Sequence, residues 1–406
     1  MSYKVHTLQN GIRVVHIPSQ SEVCYCGLLT NTGTRDEEPD EYGIAHFIEH
    51  VIFKGTQKRT SYHILNRLDE VGGELNAYTT KEETTVHAAF LSRDFERATE
   101  LIADMVFNSV FPEKELAKEK IVIADEISSY KDTPAELIFD EFEDRIFAGT
   151  ALGHNILGTF ESIAQFDADR VRRFMQRCYN TDQMVFSVLG NMTWEQVVRQ
   201  AEKHFGAIPK NLRSYERKKL KFKAYGSERQ NRDTHQGHVV LGHIAPSSTD
   251  VERLPMFLLS NIIGGPCMNS RLSLVLRERN GIGYNVETEY TPFTDTGLFT
   301  IYFGTDSENI ERSLRIVDKE LQRICDAPLT EVQLRKAKRQ FVGQLLMSAD
   351  NGESQMLSVG RSVMLYGEAD DIATSCDRIN EITAADVLKV ARKVVDPQKL
   401  SSLIFY

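Results

Sequence analysis

The feature that most narrows what this chain can fold into is an order of elements that occurs twice. In the first half, apolar alternation at 11–17 and 24–30 reads as strands, followed by helices over 44–53 and 61–71. A second pair of strands, 74–80 and 84–90, precedes helices over 94–107 and 113–129. The second half shows a strand at 238–243, helices at 252–263 and 270–278, strands at 284–290 and 297–303, and long helices at 308–325 and 330–347. Strands that follow one another across short turns pair antiparallel, whereas parallel neighbours need a crossover between them. The pattern predicts an α+β fold of two related domains, each a mainly antiparallel sheet packed with helices. At 406 residues the chain exceeds the roughly 250–300 that one core encloses, which agrees with two. A polar, strongly basic run at 209–237 separates the halves and sets the expected domains at 1–215 and 216–406. That run reads as a solvated connector with a short strand at 220–224 inside it.

Charge and composition close off several classes of function. The chain carries 48 Lys and Arg against 58 Asp and Glu, a net charge of −10, the wrong sign for nucleic-acid phosphates. Hydrophobic residues at 41% exclude a disordered chain. No apolar stretch approaches the roughly 20 residues of a membrane helix. The opening MSYKVHTLQNGIRVV reads as strand and turn rather than as a basic-headed secretory leader. Six scattered cysteines, at 24, 26, 178, 267, 325 and 376, make no disulfide framework. The expectation is a cytoplasmic protein with neither nucleic acid nor membrane as partner.

The strongest chemical signal is GIAHFIEHVIFKGT, residues 43–56. On a helix His46 and His50 lie one turn apart on one face, so both imidazoles reach the same ion, with Glu49 beside them. Ile44, Phe47, Ile48, Val51 and Ile52 supply the apolar positions that bury the helix, and Gly55 is placed to end it. Imidazole and carboxylate both suit Zn2+, and a catalytic zinc takes three protein ligands plus water. Glutamate before the second histidine is the inverted zincin order, which makes Glu49 the base for the attacking water. Two histidines need a third ligand. The helix over 113–129 carries Glu119 and Glu126 seven positions apart, hence on one face, with Ile123 between them. A carboxylate amid Ile121, Val122, Ile123 and Ile127 pairs with a cation or binds a metal. Spacing alone leaves both glutamates open for that task.

HFIEH followed by VIFKGT, then GGELNAYT at 72–79 and the helix with Glu119 and Glu126, resembles the pitrilysin–insulysin–mitochondrial processing peptidase family of zinc peptidases. The resemblance continues through LGHNILGT at 152–159 and covers nearly the whole chain. It implies a pair of related α+β domains, in agreement with the duplication. It implies that Glu126, by its distance in sequence from His50, is the third zinc ligand, and that Glu119 assists beside it. In SRLSLVLRERNGIGYNV, residues 270–286, it makes Arg277 and Tyr284 a pair that holds the substrate backbone and the developing oxyanion. The strand at 74–80, with Asn76 and Ala77, is similar to the family's edge strand, whose unpaired backbone groups bind an extended peptide. The activity implied is that of a zinc metalloendopeptidase acting on extended peptides or unfolded polypeptide segments. Members of this length assemble, here expected as a homodimer with a hetero-partner as the alternative. A non-catalytic subunit is the rival, disfavoured by a full ligand set in one chain.

Overall fold

The structure is a computed structural model and describes residues 3–220, 222, 225–232 and 234–406. Its first sheet holds β1 (Lys4–Thr7), β2 (Arg13–Pro18), β3 (Val23–Thr30), β4 (Glu74–Thr79), β5 (Thr84–Leu91) and β6 (Met184–Gly190) in the order β1-β2-β6-β3-β5-β4. Its second holds β7 (Ser227–Gln230), β8 (Gly237–Ala245), β9 (Tyr284–Pro292), β10 (Gly297–Thr305) and β11 (Ser401–Phe405) in the order β7-β11-β8-β10-β9. Within the two sheets only β2 with β6 and β7 with β11 run parallel. The fold is α+β with two mainly antiparallel sheets, as the repeated order predicts. No helix among the described residues is long and apolar enough to cross a membrane.

β6 (MVFSVLG) shows why part of the fold escapes a reading by alternation. Every one of its residues is buried, so its sequence is a nearly continuous apolar run. Helix Gly352–Tyr366 packs on β6 and β3, its Met356 carbonyl accepting from Ser187 Oγ at 2.8 Å. Gly360 permits that approach, since a Cβ there would stand 2.9 Å from the Ser187 Cβ.

The compact units are not contiguous in sequence. The first is Met1–Ser128, Asn155–Lys218 and Met347–Ile372; the second is Ser129–His154, Lys219–Leu346 and Ala373–Tyr406. The main division falls near the expected place, but 1–215 and 216–406 are not the units. Helix Pro134–Ile146, from the first half, buries Ile138 and Phe142 against Val240, Leu403 and Phe405 of the second sheet. Helix Gly352–Tyr366, from the second half, covers the first sheet. An amphipathic helix encodes that one side is buried, not which sheet buries it.

The basic connector also differs from a solvated run. Arg217 is inserted into the first unit, where Nε and Nη2 reach the two Asp36 oxygens at 3.0 and 2.7 Å, and Arg213 donates to the Asn31 carbonyl. The strand expected at 220–224 falls largely on Lys221, Lys223 and Ala224, outside the described residues. The helix expected at 270–278 is wound more widely over Ser273–Glu278, a π-helical turn in which Arg279 N bonds to Leu274 O at 3.0 Å.

Candidate metal centre

Two helices of the first unit build the site. In Ile44–Val51 the side chains of Ile44, Ala45, Phe47, Ile48 and Val51 are fully buried, and Phe47 meets Phe166 at 5.4 Å between ring centroids. With that side fixed in the core, the one-turn spacing stacks the imidazoles of His46 and His50, 4.7 Å between centroids. In Glu113–Lys131 the buried positions are Leu116, Glu119, Ile123 and Ile127, one stripe of the helix with an acid in it. The seven-residue spacing then brings Glu126 to the same side as Glu119.

His46 Nε2 stands 3.9 Å from Glu126 Oε1, and His50 Nε2 stands 3.7 Å from Glu126 Oε2. One ligand atom from each of the three residues lies within 4.8 Å of the others, the one such cluster among the described residues. Glu119 is buried behind them, with Oε2 at 3.2 Å from His50 Nδ1 and Oε1 at 2.7 Å from Lys54 Nζ. A carboxylate on Nδ1 holds the proton there, so the Nε2 lone pair of His50 faces the gap. Burial, helped by the neighbouring His50, lowers the His46 imidazole to about 3, so it is neutral and able to ligate. Burial raises the Glu49 carboxyl, with the Glu126 charge acting in the same direction and Thr79 and His50 against it.

These side chains fit a zinc ion. Ligand atoms about 2.1 Å from zinc at tetrahedral angles are about 3.4 Å apart. The separations of 3.7 and 3.9 Å are too long for hydrogen bonds and close to that spacing. Two imidazoles and one carboxylate leave a fourth position open, the donor set of a catalytic rather than a closed structural site.

His46, Glu49, His50, Glu119 and Glu126 are thus brought together in one unit. Asn76 and Ala77 lie on β4, the edge of the first sheet, opposite His87 and Val86, and helix Ile44–Val51 packs against that strand. Arg277 and Tyr284 belong to the second unit. Arg277 sits in the π-helical turn, 3.7 Å from Glu278, and Tyr284 is the exposed first residue of the edge strand β9. Two neighbours of the site were not singled out by sequence. Lys54 lies one turn beyond His50, a spacing that could have flagged it. Tyr179 carries no such signal; its buried phenol is pushed up by burial and by the Glu49 charge.

The family model described as insulinase (peptidase family M16) matches residues 13–160, and that described as peptidase M16 inactive domain matches 165–341. The chain is 32% identical over 403 residues to YmxG of Bacillus subtilis (strain 168), named an uncharacterized zinc protease, covering 99% of this chain and 98% of that one. It is 33% identical over 407 residues to SCO5738 of Streptomyces coelicolor, also named an uncharacterized zinc protease, covering 98% and 88%. A solved protease from Helicobacter pylori superposes with a TM-score of 0.90 at 19% identity, over 100% of this chain and 99% of that one. At that identity the likeness speaks for the fold.

Proposed function

The chain belongs to the insulinase family of peptidases, family M16, and from that premise we propose that it is a zinc metalloendopeptidase cleaving extended peptides or unfolded polypeptide segments. The observation that carries this reading is the convergence of His46, His50 and Glu126 with Glu49 alongside and Glu119 behind. Zinc, when bound there, supplies the Lewis acidity that activates water and polarises the scissile carbonyl. His46 and His50 offer Nε2 atoms and Glu126 a carboxylate oxygen. Glu119 keeps His50 in the tautomer that ligates and is itself held by Lys54. Glu49 takes the proton of the attacking water and passes it to the leaving amine; its raised carboxyl suits both halves of that exchange.

The edge strand β4 offers backbone N–H and C=O groups to an extended substrate around Asn76 and Ala77, which favours unfolded segments over folded chains. Arg277 and Tyr284 serve as the pair that holds the substrate backbone and the developing oxyanion. In this reading the chain works as a homodimer in the cytoplasm. Six free cysteines support the reducing compartment. Copies bearing Glu49→Gln and Arg277→Ala, each inactive alone, should regain activity when mixed into one dimer. No recovery in verified mixed dimers would contradict shared sites.

The test of the function is a fluorogenic-peptide assay on the purified chain. Hydrolysis should vanish with chelator and return on adding zinc. Zinc-loaded protein that leaves every extended peptide intact would favour a non-catalytic subunit instead.

A further inference from the structure

Glu37 lies in the loop between β3 and helix Ile44–Val51, outside every motif singled out in the sequence. Its side chain is buried, the residue only 7% exposed. Oε2 accepts from Gly43 N at 2.9 Å and Oε1 from Ala45 N at 2.8 Å. The first N–H groups of a helix have no partner inside it. One side chain here takes two of them, and the next residue in the chain is His46.

The backbone at this point has little freedom to move. Gly43 adopts φ +94°, and a Cβ there would meet Gly158 Cα at 2.7 Å. The loop that delivers Glu37 is anchored as well. Arg217 reaches both Asp36 oxygens at 3.0 and 2.7 Å, and Arg177 donates to the Asp36 carbonyl at 3.2 Å. Residues 36 and 37 therefore connect the inserted basic run to the start of the helix that bears both histidines.

We propose that Glu37 is a positioning residue for the metal centre: by holding the N–H groups of Gly43 and Ala45 it sets the first helical turn, and with it the place of His46 Nε2 relative to His50 and Glu126. This rests on the reading of that trio as a zinc site. The demand on position is strict, because zinc–ligand distances vary by only about 0.2 Å between good sites. Removing an outer partner of a ligand typically costs about 10–100-fold in metal affinity.

The test is zinc affinity of the metal-stripped full chain, by competition with a chelating dye, for wild type, Glu37→Ala, Glu37→Gln and Thr193→Ala. Thr193 accepts from Gln196 N at the start of helix Trp194–Phe205, so its loss removes a cap from a helix without ligands. Melting curves of each stripped protein identify losses that are only structural. Glu37→Ala should bind zinc about 10–100-fold more weakly than wild type. Glu37→Gln, which keeps one acceptor oxygen, should fall between them. Thr193→Ala should lower the melting temperature and leave affinity unchanged. If Glu37→Ala does not fold, Glu37→Gln decides, with several-fold weakening expected. Wild-type affinity in folded Glu37 variants overturns the proposal while leaving the zinc reading intact. Failure of the wild type to bind zinc sinks that reading itself.

Discussion

The two units repeat an order of elements and differ in chemistry at one matching place. In the first, Glu126 is the fourteenth residue of helix Glu113–Lys131 and faces His46 and His50. In the second, Gln344 is the fourteenth residue of helix Glu331–Ala349, which is equally long. Gln344 Oε1 accepts from Asn261 Nδ2 at 2.6 Å, and its amide nitrogen reaches Cys267 Sγ at 3.1 Å. Leu116 and Leu334, then Ile123 and Phe341, keep the apolar positions in step, while Ala337 stands where the first helix has Glu119. An amide pair satisfies itself with its own donors and acceptors and needs no ion. Two imidazoles and a carboxylate direct lone pairs into a gap that a cation can fill. The same helical framework thus carries a candidate metal centre in one unit and a hydrogen-bonded contact in the other, and a few side chains make the difference.

That comparison can be broken most sharply at Glu49. Glu49→Gln should keep zinc and lose about 10²–10⁴-fold in turnover, because ligands remain while the proton acceptor is gone. Undiminished hydrolysis by a metal-loaded variant would remove Glu49 from its role. Glu126→Gln recreates in the first unit the residue type of the second. It should weaken zinc binding by more than the roughly 10–100-fold that an outer partner costs. Elemental analysis showing one firmly held zinc would shift the third ligand to Asp125 or Glu119. Glu119→Gln should cost about 10–100-fold in zinc affinity, since His50 Nδ1 and Lys54 lose a charged partner. Affinity equal to wild type would make that carboxylate a purely structural group. The smallest effect is expected in the second unit. Gln344→Ala should destabilise by about 1 kcal/mol in urea unfolding, the net worth of one hydrogen bond, with zinc binding untouched. A fall in zinc affinity there would mean that the amide contact is not independent of the metal centre.

Much of this division was legible in the residues. The strand pairs, the histidine helix and the acidic helix follow from apolar period, which local geometry obeys directly. The ligand trio was narrowed by periodicity to one face of each helix, and the choice of Glu126 over Glu119 came from resemblance. The structure puts Glu119 on His50 Nδ1 and Glu126 across from both Nε2 atoms. What escaped depends on contacts distant in sequence. Helices Pro134–Ile146 and Gly352–Tyr366 carry nothing local to tell which sheet they cover. Arg217 looks like any residue of a charged run until Asp36 meets it. Glu37 and Tyr179 owe their places to burial beside a helix start and beside Glu49, which no spacing rule exposes.

Zinc K-edge X-ray absorption of the zinc-loaded chain reads the ligand shell itself. Two imidazole nitrogens are expected at about 2.0–2.1 Å, with oxygen completing the shell and no sulfur. A sulfur scatterer at about 2.3 Å, or a shell with fewer than two imidazoles, would contradict a centre built from His46, His50 and Glu126.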